Sequence, residues 1–246
     1  MPTIIESTQN MRIKMFAKMK DKRYRDEWKT FLVDNEHIIK EALKANLVKA
    51  LLYVDSHPFK LNPKIEEIKV TGAIMEKLSS TSSTAKYVAL CKYMEEKEIT
   101  GNRIIVLDDV QDPGNVGTII RSAISFGFDG VVLSKNGVDL YNDKLIRSTQ
   151  GAIFHLPIKR CDVLPEIQRL KHEGYYIVGT ALINGCGLSN IMEKEKMAII
   201  MGNEGSGVSP TILRMSDINA FIEMENFESL NVGVAAGILM YTFRKK

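Results

Sequence analysis

The sequence predicts an α/β protein built around a parallel sheet, and three observations carry that expectation. Short β-branched or apolar runs recur at Arg103–Leu107, Gly130–Leu133, Tyr175–Gly179, Met197–Met201 and Ile218–Ile222. Segments with helical spacing lie between them, at Val116–Phe126, Val163–His172 and Leu230–Tyr241. Strands alternating with helices over this length imply a parallel sheet covered on both faces.

The first hundred residues predict a second, smaller α/β unit. A basic helix falls within Met11–Thr30, followed by a strand at Thr30–Val33, a helix from Asn35 to Ala45 and a strand at Val48–Val54. Further strand-like runs are Ile68–Thr71 and Tyr87–Cys91. The stretch YMEEKEITGN, Tyr93–Asn102, is charged and then turn-forming, with neither periodicity, which places a domain boundary there. The expected division is 1–98 and 99–246.

Composition narrows the function classes. Of 246 residues, 45% are hydrophobic and 26% charged, the usage of an ordinary globular protein, which excludes disordered and fibrous chains. The longest apolar run, Leu230–Phe243, falls short of the roughly 18 residues of a membrane helix, so no membrane association is expected. The opening residues MPTIIESTQNMRIKMF carry no apolar leader core, and the expected compartment is the cytoplasm. Cys91, Cys161 and Cys186 form no C-x-x-C pair and read as small apolar residues. His37, His57, His155 and His172 show no ligand spacing, so no metal is expected.

Net charge is only +3, but its distribution is uneven. Between Met11 and Thr30 eight Lys or Arg stand against three acids, an excess suited either to a phosphate backbone or to a solvated helix face. On the first reading Lys18, Lys22 and Arg25 are the candidate phosphate contacts.

In a parallel sheet, ligands bind beyond the carboxyl ends of strands, so the strand-to-helix loops are the places for chemistry. Three stand out. After RIIVL comes Asp108 to Arg121, where Asp112-Pro113-Gly114-Asn115 has the order of a tight turn and Asn115 is the expected N-cap of the next helix. Arg121, on an otherwise apolar helix, needs a phosphate, a carboxylate or a carbonyl. After MAIIM comes Gly202-Asn203-Glu204-Gly205-Ser206-Gly207, whose order matches neither a dinucleotide fingerprint nor a triphosphate loop. Ser209-Pro210 then reads as a helix start. The third loop, Glu225 to Asn231, precedes a helix for which Ser229 is the expected N-cap, while Asn231 brings an amide that needs partners if buried.

Taken in order, Asn115-x-Gly117-x-x-x-Arg121, Gly202-Asn203-Glu204-x-x-Gly207 and Ser229-Leu230-Asn231-Val232-x-Val234-Ala235 resemble the three motifs of the SpoU (TrmH) RNA 2′-O-methyltransferases of the SPOUT superfamily. The resemblance spans Arg103 to Arg244 and includes Arg147-Ser148-Thr149-Gln150-Gly151-Ala152. Through Phe31-Leu32-Val33-Asp34-Asn35-Glu36 the N-terminal part is similar to the family's ribosomal-protein-like substrate-binding domain, although most relatives have glycine where Asn35 stands.

The resemblance implies a deep trefoil knot in the C-terminal domain, S-adenosylmethionine as cofactor, an RNA substrate and a homodimer. It assigns cofactor contacts to Thr180, Gly202, Ile222 and Leu230, and the reaction to Asn115, Arg121, Glu204, Ser229 and Asn231. Glu223 replaces a proline usual in the family, a change at the cofactor loop. Ribosomal RNA of the large subunit is the expected substrate. Transfer RNA, and a non-catalytic assembly factor that retains the cofactor pocket, are the alternatives.

Overall fold

The computed structural model describes residues 2–80, 85–182, 185–225 and 229–245. They cluster into two compact units, Met1–Glu95 with Asp139–Phe154, and Glu96–Val138 with His155–Lys246. Residues 139–154 thus cluster with the first unit.

In the first unit the elements are β1 (Thr3–Ile5), α1 (Met11–Lys18), α2 (Lys22–Trp28), β2 (Thr30–Val33), α3 (Glu36–Lys44), β3 (Val48–Tyr53), β4 (Glu66–Val70), α4 (Gly72–Leu78) and β5 (Tyr87–Lys92). Five strands form a mixed sheet in the order β1-β4-β3-β5-β2. Asn35 caps α3, its Oδ1 accepting from the N–H groups of His37 and Ile38. The basic segment is two helices where one was expected. Asp21 interrupts it and caps α2 by accepting from the Arg23 N–H at 2.8 Å, and Lys29 ends α2 in the left-handed region. Ile13, Phe16, Leu52, Ile68 and Met75 anchor the core of this unit.

The second unit carries β6 (Arg103–Leu107), α5 (Pro113–Ser125), β7 (Gly130–Ser134) and, beyond α6 (Asp143–Thr149) of the first unit, β8 (Ile158–Cys161), α7 (Val163–His172), β9 (Tyr176–Thr180), β10 (Cys186–Gly187), β11 (Met197–Met201), α8 (Pro210–Met215), β12 (Ile218–Phe221) and α9 (Val232–Thr242). Its seven strands are all parallel, in the order β10-β12-β9-β11-β6-β7-β8. Every residue of β6 and β11 is buried, which is why Ile104–Leu107 and Met197–Met201 read as unbroken apolar runs. The sequence expectations missed β1, α4, α6, β8 and β10, which have seven residues or fewer each.

Helices α5 and α9 lie side by side. A Cβ at Gly233 would meet Thr118 at 3.5 Å, one at Gly237 would reach Ser122 at 4.0 Å, and Phe126 packs edge-on against Tyr241. The pairing advances in step along both helices, so they run parallel and present their N-termini together. Cys91 is buried, whereas Cys161 and Cys186 are only half-buried. No helix among the described residues is long and apolar enough to cross a membrane.

Candidate active site

The three loops meet at the carboxyl ends of β6 and β11 and at the start of α9. Asp112, not Asn115, is the N-cap of α5, its carboxylate accepting from the Asn115 N–H at 2.9 Å. Proline at the following position fits the first helical turn, so the cap lies three residues earlier than expected. The Asn115 side chain is thereby released from capping and bridges two other loops.

One bridge runs to Glu204. Its Oε1 accepts from Asn115 Nδ2 and the Asp112 N–H, each at 3.0 Å, and its Oε2 accepts from the Gln111 N–H at 3.1 Å. Burial works against the charged form, but the Asn115 amide and the N–H groups of Asp112 and Gln111 outweigh it and hold the carboxyl below the usual carboxylate range. The other bridge comes from Asn231, whose Nδ2 donates to Asn115 Oδ1 at 2.9 Å. Asn231, not Ser229, caps α9, its Oδ1 accepting from the N–H groups of Gly233 and Val234. Ser229 is exposed two residues upstream. Residues 226–228 of this loop lie outside the described residues.

Backbone N–H groups therefore fix both ends of the chain Glu204–Asn115–Asn231. Each amide oxygen faces a donor, so each amide nitrogen keeps one N–H for a further partner. Arg121 stands on α5, exposed, and its guanidinium makes no hydrogen bond or ion pair with the described residues. Of the partners considered for it from sequence, a structural ion pair is not formed among the described residues.

Beside this chain lies a cleft of about 670 Å³, lined by Thr180, Gly202, Ile222 and Leu230, with Glu204, Ser229 and Asn231 at its wall. Asn115 and Arg121 are not part of that wall. Thr180 Oγ1 donates to the Ile200 carbonyl at 2.8 Å. At Gly202 a Cβ would fall 2.0 Å from the Gly207 carbonyl carbon, so only glycine lets the loop close on itself. Asn203, which sequence reasoning left without a role, organises that loop: its Oδ1 accepts from the N–H groups of Gly205 and Ser206, and its Nδ2 donates to the Asp109 carbonyl. Gln111 and Asp112 were likewise unassigned, because contacts through backbone N–H leave no mark on residue type.

The cleft is of ligand size, and Met201, Val208, Ala220 and Leu239 make apolar walls for a planar base. Glu204 is the sole ionisable side chain among its described lining residues. That donor set fits S-adenosylmethionine, whose adenine needs an apolar slot and whose polar groups can meet loop backbone. Among the described residues no cluster of three or more His, Cys, Asp or Glu could hold a metal ion.

The three candidate RNA contacts differ. Lys18 is exposed, its ammonium 4.9 Å from the Tyr24 ring centre. Lys22 is exposed and paired with Asp26. Arg25 is a correction: it is buried, donates to the carbonyls of Met19 and Lys20 at 2.7 and 2.9 Å, and pairs with Asp139. It ties residues 139–154 to α2 and is not open to a phosphate backbone.

Fold and cleft together define an α/β protein with a cofactor-sized site at the carboxyl ends of a parallel sheet. The profile of the SpoU rRNA methylase family matches residues 102–241, and that of the MRM3-like substrate-binding domain matches residues 10–89. The chain belongs to the SpoU rRNA methylase family. It is 38% identical over 244 residues, 98% of each chain, to the 23S rRNA (guanosine(2553)-2′-O)-methyltransferase RlmP of Bacillus subtilis. Its fold is shared by an AdoMet-bound rRNA methyltransferase from Sinorhizobium meliloti, at TM-score 0.86 and 23% identity over 97% of both chains. It is also shared by the SpoU methyltransferase AviRb from Streptomyces viridochromogenes, at TM-score 0.83 and 23% identity over 95% of this chain and 97% of that one.

Proposed function

We propose that this protein transfers a methyl group from S-adenosylmethionine to a ribose 2′-oxygen of large-subunit ribosomal RNA, in the cytoplasm. The carrying observation is the hydrogen-bonded chain Glu204–Asn115–Asn231, which ties three loops into one unit beside a cofactor-sized cleft. Likeness along nearly the whole chain to an enzyme named for 23S rRNA supports the substrate class.

Thr180, Gly202, Ile222 and Leu230 would hold the cofactor, which supplies a methyl group already activated on a sulfonium. The protein's task is then to align the 2′-oxygen, a proximity effect. Arg121 is exposed and unpaired among the described residues, and its pKa above about 12 makes it a poor base, so it holds the phosphate beside the reacting ribose. The paired N-termini of α5 and α9 favour the same negative charge. Glu204 fixes the amide of Asn115, and through it that of Asn231, so that N–H donors face the ribose. Ser229, at the cleft wall, adds a hydroxyl to that side.

Residues 1–98 serve as the RNA-binding domain, related to ribosomal proteins, with Lys18 and Lys22 on its basic surface. Residues 99–246 form the methyltransferase domain, whose chain carries a deep trefoil knot at its C-terminal end. Two copies assemble as a homodimer, for which Val234, Ile238 and Tyr241, spaced along one exposed apolar stripe of α9, provide the surface.

The test is tritiated methyl transfer from S-adenosylmethionine to ribosomal RNA and transfer RNA from cells lacking this gene. Label in ribosomal RNA alone is expected. Label confined to transfer RNA would move the substrate class, and no label with the cofactor bound would favour an assembly factor.

A further inference from the structure

Eight Lys and Arg stand between Met11 and Thr30, and the structure sorts them. Arg12 is paired with Glu66, Lys22 with Asp26 and Arg25 with Asp139. Lys20 is offset by Asp34, whose carboxylate holds Ser79 and Ser80 beside the carbonyl that receives the Lys20 ammonium. Lys14, Lys18 and Arg23 are exposed and form no ion pair with the described residues. Of the remaining acids in this stretch, Asp21 caps α2 and Glu27 is exposed, and neither pairs with any of the three. Lys14 and Lys18 lie one turn apart on the exposed face of α1, about 6 Å along its axis, away from the buried Ile13 and Phe16. Lys18 and Arg23 then converge on one ring, their cations 4.9 and 4.6 Å from the centre of Tyr24. Arg23 Nη2 donates to the Tyr24 hydroxyl oxygen at 2.6 Å, which leaves the hydroxyl proton for an acceptor. Two like charges over one ring, with no carboxylate paired to either, repel until an anion is supplied.

We propose that Lys14, Lys18, Arg23 and the Tyr24 hydroxyl hold successive phosphates of one strand of the substrate RNA, which runs along the exposed face of α1. The inference rests on the RNA reading above and turns a basic surface into a defined track, with Lys14, Arg23 and Tyr24 as new members. One helical turn is close to the step between neighbouring phosphates on a strand, so successive cations meet successive charges. Phosphate contacts fix the register and orientation of a nucleic acid and carry no sequence information. The track therefore positions the RNA, and the choice of nucleotide is made elsewhere.

The test is binding of the full chain to large-subunit ribosomal RNA transcribed in vitro, measured at several salt concentrations. Replacing Lys14, Lys18 and Arg23 together by glutamine should lower the salt slope by about two units, as three phosphate contacts require. Tyr24→Phe keeps the ring and removes only a neutral donor, so affinity should fall about fivefold with the slope unchanged. Lys40→Gln combined with Lys44→Gln removes two exposed cations that are paired with Glu36 and Glu41, and should leave the slope in place. An equal loss of slope per charge in that control would show a net-charge effect and overturn the track. A triple variant that keeps the wild-type slope would overturn it as well. A wild-type chain that binds S-adenosylmethionine but no RNA would overturn the RNA reading itself, a failure seen before any variant is made.

Discussion

Asn231 donates from Nδ2 to Asn115 Oδ1 at 2.9 Å, across 116 positions of sequence. The bond fixes the orientation of both amides, because Asn231 Oδ1 is held by the N–H groups of Gly233 and Val234 and Asn115 Nδ2 by Glu204. Asn115→Asp keeps the shape but sets a second carboxylate against Glu204. Methyl transfer should fall roughly 100-fold, as when an oriented donor is removed. Steady-state kinetics on the RNA substrate would check this, and an unchanged rate would mean the chain is only a loop tie.

Arg121 is exposed, lies outside the wall of the cofactor cleft and has no partner among the described residues. Arg121→Ala should abolish methylation while leaving S-adenosylmethionine affinity within a few fold. A calorimetric titration showing lost cofactor binding would assign Arg121 to the cleft instead.

Gly202 has no room for a side chain, since a Cβ would sit 2.0 Å from the Gly207 carbonyl carbon. Gly202→Ala must open the loop, at a cost of about 1–3 kcal/mol by the usual measure of overpacking. Cofactor affinity and thermal midpoint should fall together, whereas Arg121→Ala should move neither by much.

The basic helices allow two opposite outcomes from neighbouring cations. Replacing Lys18 and Lys22 by glutamine should weaken RNA binding and flatten its salt dependence by up to about two units of slope, with little change in stability. Arg25→Ala instead leaves the half-buried Asp139 without its partner and should cost about 3 kcal/mol of stability. Denaturant titration beside binding measured at several salt concentrations separates the two.

Glu204 sets the pH dependence of the junction. Despite the opposing effect of burial, its hydrogen bonds depress the folded carboxyl below the unfolded value. The stabilisation is therefore present above the unfolded value and is lost as pH falls through the folded one. Cofactor affinity should be insensitive to this group through neutral and mildly acid pH, weakening only below the ordinary carboxylate range near about 4. Calorimetry across that range checks it, and a Glu204-dependent transition near neutrality would contradict the hydrogen-bonded anion.

The long elements were legible because burial and period act together in them: β6, β11 and α7 fall where apolar spacing puts them. Asp112 and Asn231 were not read as caps, because Asn115 and Ser229 carry equally good capping groups and three-dimensional closure decided between the candidates. Arg25 illustrates the harder case. Its type and neighbours are those of a phosphate contact, and only the return of Asp139 to the first unit reveals the ion pair that occupies it. The site residues were legible as motifs, but the direction of the hydrogen bonds joining them was not.

The most direct test concerns the acceptor atom. A 2′-O-methyl group removes the nucleophile that cleaves RNA in alkali, so the phosphodiester beside a methylated ribose survives hydrolysis. Ribosomal RNA labelled by this protein with tritiated S-adenosylmethionine should, after complete alkaline hydrolysis, release its label in an alkali-resistant dinucleotide, and Arg121→Ala should yield none. Label recovered in mononucleotides would place the methyl group on a base and contradict the ribose chemistry assigned to Asn115, Arg121, Glu204 and Asn231.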